Sequence, residues 1–299
     1  MSSNSTLHSH LNPDAARLIG ASDEERIRQI QLDRFIEYGS VTRVLSILDD
    51  FALRPPSVRP PCLALVADSG GGKSTVLTEF VRRLGAATLD SNARRVIYMV
   101  VDPFPELPNM QTSLLSAMSI PPAQGQYRRR WAADELIKRA IIELGVRVVI
   151  FDEIGHLLNL PRLSQVLVFD WLKWISTACR VSVVCSGIPG SEQIVLRERQ
   201  LQTRFTVMRL PCWTAGPAFG QFLQAFERSL SIRRPSGLAA LDMQEALLKE
   251  SRVKQQVSGV TDGVKQIIAY AAIEAIRSGE ERITRSLLTS WRGAFGYGR

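Results

Sequence analysis

Nowhere does this 299-residue chain contain the roughly 18 consecutive apolar residues that a membrane span requires. Met1 to His10 is polar and lacks the apolar core of a secretory signal, so the expected address is the cytoplasm, with no membrane partner. Cysteine is scarce. Cys62, Cys179, Cys185 and Cys212 show no paired metal-ligand spacing, which disfavours a zinc site or a disulfide framework and predicts buried free thiols. Gly and Pro are scattered, with no low-complexity linker and no internal repeat. Acidic residues are in deficit: 29 Asp and Glu against 37 Lys and Arg leave a net charge of +8, which suits a polyanionic partner such as nucleic acid. The densest basic cluster, Arg128-Arg129-Arg130, reads equally as a solvated turn or as a DNA contact. With 45% apolar and 22% charged residues the composition is that of a soluble globular protein, long enough for one large domain or two smaller ones.

The most informative string is Ala67-Asp68-Ser69-Gly70-Gly71-Gly72-Lys73-Ser74, between an apolar run and a helix-periodic stretch that opens with Thr75. It is one position short of the full phosphate-loop pattern, because Ala67 stands where Gly is usual. Asp68 and Ser69 lead into Gly70, Gly71 and Gly72, which let backbone amides close on phosphate oxygens at a helix N-terminus. Lys73 is expected to reach the β- and γ-phosphates of ATP, Ser74 to hold Mg²⁺, and Thr75 to follow in the loop's binding set.

Apolar, β-branched runs recur at Cys62 to Ala67, Val96 to Val101, Val146 to Phe151, Val181 to Cys185 and Thr206 to Leu210, with helical segments between. That alternation predicts an α/β fold with a five-stranded parallel sheet covered on both faces. A helix over 163 to 178 is expected to bury Leu163, Val166, Leu167, Trp171, Trp174, Ile175 and Ala178. Residues 1–21 read as a mobile leader. Ser22 with Glu25 forms a capping box for a helix carrying Ile27, Ile30, Phe35 and Ile36, and a second helix spans about Ser40 to Leu53. After Trp213 only helical patterns remain. The expected organisation is 1–39 leader and helix, 40–213 nucleotide-binding domain, and 214–299 helical lid.

Arg147-Val148-Val149-Ile150-Phe151-Asp152-Glu153 is a buried-type strand ending in two acids. Asp152 is expected beside Ser74 as a second Mg²⁺ ligand, and Glu153 beside the attacking water. Ser186, ending the fourth strand, is a candidate contact to the γ-phosphate or the water. Arg204 is a candidate to stabilise transition-state charge on a neighbouring subunit's γ-phosphate, with Arg197 and Arg199 as rivals and a solvated helix charge as the alternative for all three.

This order of features resembles the AAA+ ATPases, and more narrowly the TniB-type, TnsC-like transposition regulators. The strings that carry the resemblance are Arg26 to Tyr38, Asp68-Ser69, Gly145-Val146-Arg147 leading into Asp152-Glu153, Gln202 to Phe205, and Leu210-Pro211-Cys212-Trp213. In the lid they are Phe222 to Glu227, Arg234 to Leu238 and Ala271 to Ile276, so the resemblance spans about residues 22 to 290. It implies an AAA+ core with a C-terminal helical lid and an N-terminal helical extension. It also implies a bacterial, nucleoid-associated ATPase that assembles with itself as a ring or filament on double-stranded DNA. The partners implied are a TniA- or TnsB-like transposase and a TniQ-like targeting protein. The chain departs from the family at Ala67, at Gly155-His156 where His-Asn is commoner, and at Val264 or Lys265 where many AAA+ lids carry a sensor arginine. Two other readings stay open: a replication initiator or helicase loader, and a nucleotide-switched DNA adaptor without hydrolysis.

Overall fold

The computed structural model describes residues 9–87, 95–120, 130–196, 202–255 and 257–294, with the side chains of 86–87, 130–131 and 292–294 outside the description. The chain divides into two compact units: residues 40–211, and a discontinuous unit of 1–39 with 212–299.

The first of these units is built on five parallel strands, β1 Cys62–Val66, β2 Val96–Val100, β3 Val148–Asp152, β4 Ser182–Gly187 and β5 Phe205–Arg209, in the order β2-β3-β4-β1-β5. Strand ends differ from the sequence-predicted ones by one or two residues. β1, β3 and β4 are buried at every position, as strands covered on both faces must be. The register pairs Val66 with Gly187, Leu65 with Ser186, and Val100 with Asp152. All carboxyl ends therefore meet at one edge, the edge where open α/β sheets bind ligands.

Helices α1 Pro13–Arg17, α2 Asp23–Gln31, α3 Gly39–Leu53, α4 Lys73–Ala87, α5 Leu107–Ala117, α6 Arg130–Glu143, α7 Arg162–Ala178 and α8 Gln193–Leu196 precede the last strand. Two sequence expectations fail here. The segment 9–21 is structured: Asn12 caps α1 through Ala15 N at 2.8 Å, and Leu11, Ala15 and Ile19 bury a small apolar cluster. In α7, Leu163, Val166 and Leu167 are exposed, whereas Val168, Phe169, Trp171, Leu172 and Ile175 are buried. Apolar residues fall on more than one face of the helix, so its period alone leaves the rotation open. Trp171 decides it, donating its indole N–H to Asp134 Oδ1 at 2.9 Å and meeting Phe151 edge-on at 5.8 Å. Trp174 is half-buried against the same core.

In the discontinuous unit, α2 packs with α9 Pro217–Arg228, α10 Leu241–Gln255, α11 Thr261–Arg277 and α12 Arg285–Ala294. Ser22 Oγ accepts from Glu25 N at 3.3 Å, the cap expected for α2, but the helix stops at Gln31, so Phe35 and Ile36 lie beyond it. Trp213 stacks on Phe222 at 4.7 Å and on Phe219 at 5.4 Å, with Tyr38 against both Trp213 and Phe222. Gly259 is pressed onto this cluster: its φ is +75°, and a Cβ there would lie 2.1 Å from the Trp213 carbonyl oxygen. Arg26, fully buried, donates to both carboxylate oxygens of Glu281 and to the Ser231 carbonyl oxygen, so α2 is tied to the loop before α12.

Candidate functional site

The loop after β1 is shaped by two glycines with left-handed backbone, Gly70 at φ +75° and Gly72 at +92°. Ala67 is not among the positive-φ residues, so the position where the chain departs from the usual Gly needs no special conformation. Ala67 is buried, with its amide donating to the Gly187 carbonyl oxygen at 3.2 Å. Gly71 N donates to the Asp68 carbonyl oxygen at 2.9 Å and closes the turn. α4 then starts at Lys73, with its first amides and the positive end of its dipole at the loop, the arrangement that binds phosphate. Ser69, Gly70 and Thr75 are exposed, while Asp68 and Ser74 are half-buried.

Lys73 is buried and donates to the carbonyl oxygens of Ala67 at 2.9 Å and Asp68 at 3.2 Å. Burial pulls its ammonium below the ordinary lysine value, against the charges of Glu153, Asp152 and Asp68. Asp152 closes β3 and Glu153 follows it, so both acids stand at the same sheet edge as the loop lysine.

Asp152 is almost fully buried and is held on both oxygens. Oδ1 accepts from Glu153 N at 2.9 Å and from Ser186 Oγ, and Oδ2 accepts from the Tyr98 hydroxyl at 2.7 Å. Ser186 is thus engaged with Asp152, its neighbour across β3 and β4. Glu153 follows in a left-handed conformation, φ 58° and ψ 38°, a strained choice for a residue with a side chain and one that turns it away from the strand direction. His156 is tethered through Nδ1 to the Val101 carbonyl oxygen at 2.8 Å.

Tyr98 is the site residue that sequence reading missed. Burial, then the Asp152 hydrogen bond and the Asp152 and Glu153 charges, raise its phenol well above the ordinary value, and a side-chain hydrogen bond with Ser74 works the other way. The Asp152 carboxylate thus rests on the Tyr98 hydroxyl from the neighbouring strand, and Ser74 stands in the first turn of α4 at the same sheet edge. Such hard oxygen donors suit Mg²⁺. Among the described residues no group of three or more His, Cys, Asp or Glu is arranged to hold a metal, so a cation between Ser74 and Asp152 would complete its shell with phosphate oxygens and water.

Arg204 is elsewhere. It precedes β5, its carbonyl oxygen accepts from Cys62 N at 2.9 Å, and Nη1 reaches Thr177 Oγ1 at 3.3 Å. Cys62 opens β1 and Val66 ends it, so Arg204 occupies the sheet edge opposite the loop, about 16 Å away for a five-residue strand. On the loop edge stands Arg209, paired with Val66 and bound to Glu192 at 2.7 Å. Arg197, Arg199, Arg128 and Arg129 lie outside the described residues, as does the side chain of Arg130, the first residue of α6. The four cysteines are free, three buried and Cys212 half-buried.

A phosphate loop after β1, paired acids at the end of β3, sheet order β2-β3-β4-β1-β5 and a helical unit built largely from the C-terminal segment define a P-loop protein of the AAA+ class. The model of the bacterial TniB protein family matches residues 26–215, and the chain belongs to that family. Among solved structures it is similar to Aeropyrum pernix ORC1 in complex with DNA, at 17% identity and TM-score 0.61 over 90% of this chain and 69% of that one. It is similar also to Drosophila ORC bound to DNA, at 16% and 0.60 over 91% and 66%, and to Aeropyrum pernix ORC2 in ADPNP-ADP complexes, at 14% and 0.60 over 87% and 70%. The chain thus spans about two thirds of those longer chains, and identities so low speak to the fold alone. A comparison with curated proteins gives no match. Among the described residues no helix is long and apolar enough to cross a membrane.

Proposed function

We propose that this TniB-family chain is an ATP-dependent DNA-binding ATPase that assembles on target DNA and regulates transposition, linking target selection by a TniQ-like protein to a TniA- or TnsB-like transposase. The observation that carries the reading is that Lys73, at the amide-rich start of α4 after β1, and Asp152 and Glu153, at the end of β3, lie at the same carboxyl edge of the sheet. In this reading the loop from Asp68 to Thr75 wraps the phosphates, and Lys73 exchanges its carbonyl partners for β- and γ-phosphate oxygens. Ser74 and Asp152 hold Mg²⁺, which when bound neutralises charge developing on the phosphates. Glu153 orients and deprotonates the attacking water, and Ser186 keeps Asp152 in place. Arg204, on the far edge of its own sheet, completes the site of the next subunit, so turnover rises with assembly. The net charge of +8 supports DNA as the scaffold, as do the DNA-bound ORC structures of similar fold, and Arg128, Arg129 and Arg130 are the contacts proposed.

Sedimentation and phosphate release, with and without double-stranded DNA, test the reading. Lys73→Ala should abolish ATP-dependent assembly on DNA, whereas Glu153→Gln should assemble and hydrolyse slowly. Normal ATP binding and assembly by Lys73→Ala would remove the loop assignment; no phosphate release by assembled wild type would favour the non-hydrolysing adaptor. The ORC-like fold favours one rival, a replication initiator or helicase loader. A reconstituted transposition reaction that proceeds equally well without the protein would favour that rival.

A further inference from the structure

The string Arg234-Pro235-Ser236-Gly237-Leu238 lies between α9 and α10, beside the turn that joins α11 to α12. Arg234 N donates to the Glu281 carbonyl oxygen at 2.9 Å and Ile283 N to Ser236 Oγ at 2.9 Å, so the two segments are tied together. Leu238 and Ile283 anchor them in the core of the helical unit. The acids of this region are spent on that scaffold. Glu227, in the last turn of α9, accepts from the amides of Gly237 and Leu238, each at 2.9 Å, and from that of Ser236. Glu281, its side chain only 8% exposed, is held by Arg26 on both oxygens and by Arg233 Nη1 at 2.6 Å. Arg234, Arg282 and Arg285 are exposed and form no ion pair among the described residues. Against these three guanidinium groups the two segments expose one further acid, Glu280, and the first turn of α12 carries none.

We propose that Arg234, Arg282 and Arg285 form a second DNA-backbone contact on the helical unit, additional to Arg128, Arg129 and Arg130. The inference rests on the reading that the chain assembles on double-stranded DNA. A solvated face normally interleaves both signs of charge, whereas here the acids turn inward and the arginines outward. Phosphate suits this donor set better than a protein partner does. A protein interface needs an apolar or aromatic centre, and no large hydrophobic residue is exposed in 233–238 or 280–286. What surrounds the arginines instead is Thr284, Ser286 and Gly237, and arginine, serine, threonine and backbone amides are the groups that hold a sugar-phosphate backbone. Guanidinium groups on a braced loop lose little freedom on meeting phosphate, and each can bind it through two N–H groups. The contact reads charge and not sequence.

The test is the affinity of the full chain for two labelled DNA duplexes of unrelated sequence, with a slowly hydrolysed ATP analogue, across a series of salt concentrations. The triple variant Arg234→Gln, Arg282→Gln, Arg285→Gln should lose at least about ten-fold in affinity for both duplexes alike, and its slope of log affinity against log salt should fall by about 2–3, near 0.9 for each phosphate released. Its urea midpoint and its affinity for the analogue without DNA should match wild type. Glu280→Gln, which removes the exposed acid beside the cluster, should shift binding the other way and tighten it. An unchanged salt slope in the triple variant overturns the proposal, as does weaker binding by Glu280→Gln. Loss of reconstituted transposition by a triple variant that binds DNA normally would assign the surface to an acidic protein instead. If wild type binds neither duplex, the DNA reading fails and this surface with it; wild-type binding that is indifferent to the three arginines sinks only the surface.

Discussion

The methyl group of Ala67 occupies the space that a side chain on Gly71 would need. A Cβ built on Gly71 comes within 2.7 Å of Ala67 Cβ and 2.9 Å of the Asp68 carbonyl oxygen. The two positions are therefore coupled: the loop gives up Gly at its first position and keeps it absolutely at its fifth. Gly71→Ala should weaken nucleotide binding at least ten-fold, on the order of 1.4 kcal/mol, as the loop shifts to relieve the clash. Ala67→Gly should leave affinity within about two-fold and lower stability by about 0.5–1 kcal/mol. The double variant should recover only part of the loss, because the Asp68 carbonyl still obstructs. Titration of the four proteins with labelled nucleotide measures the coupling directly.

Arg204 stands at the edge of the sheet away from Lys73, so its proposed action is between subunits. Arg204→Ala retains a complete loop and acid pair, and Glu153→Gln retains its arginine. Each alone should show strongly reduced DNA-stimulated phosphate release. Mixed, they should regain a fraction of wild-type turnover, since some contacts then join an intact Glu153 to an intact Arg204. Absence of any recovery in verified mixed assemblies would exclude the assignment.

The buried pair Arg26–Glu281 gives stability a defined acid limit. Burial pushes Glu281 up, but hydrogen bonds from Arg26 and the Arg233 backbone, with both arginine charges, hold it below the usual carboxylate value. A carboxylate with a lowered folded pKa stabilises fully above its unfolded value and loses that contribution as pH falls through the folded one. Stability should therefore drop below about pH 4 in wild type, and the drop should be smaller in Glu281→Gln. Arg26→Met, which leaves the acid buried with Arg233 alone, should cost about 3 kcal/mol in urea unfolding at neutral pH.

Gly259→Ala addresses the aromatic cluster. The substitution combines a φ of +75° with a contact of 2.1 Å to backbone, neither of which a side-chain rotation relieves. A loss of about 2–4 kcal/mol is expected, with reduced near-ultraviolet dichroism from Trp213 as its signature.

Much of this architecture was legible in the residues themselves. Val148 to Asp152 reads as a strand because a run with no polar gap can only be a buried one, and the glycine string before Lys73 admits few other uses. Proximity across the sheet was not legible. Tyr98 sits in an ordinary apolar strand, and nothing local says that β2 lies beside β3, where its hydroxyl meets Asp152. The rotation of α7 was misread because Leu163, Val166 and Leu167 compete with Val168, Phe169 and Leu172 for the same core, and only Asp134, a distant partner of Trp171, breaks the tie. Structure in 9–21 escaped notice because five helical residues give too short a period to read.

The discontinuity of the second unit sets an order for biosynthesis. Residues 40–211 form a self-contained sheet unit that is finished on the ribosome before any of 212–299 has emerged, while α2 has been outside since the start. Until then Ile30 has none of its core partners from α9 onward, and Arg26 lacks Glu281. The chain must carry an amphipathic, unsatisfied helix through most of its own synthesis, and a truncated product ending near residue 211 would display that helix permanently, a ready target for chaperone binding or proteolysis.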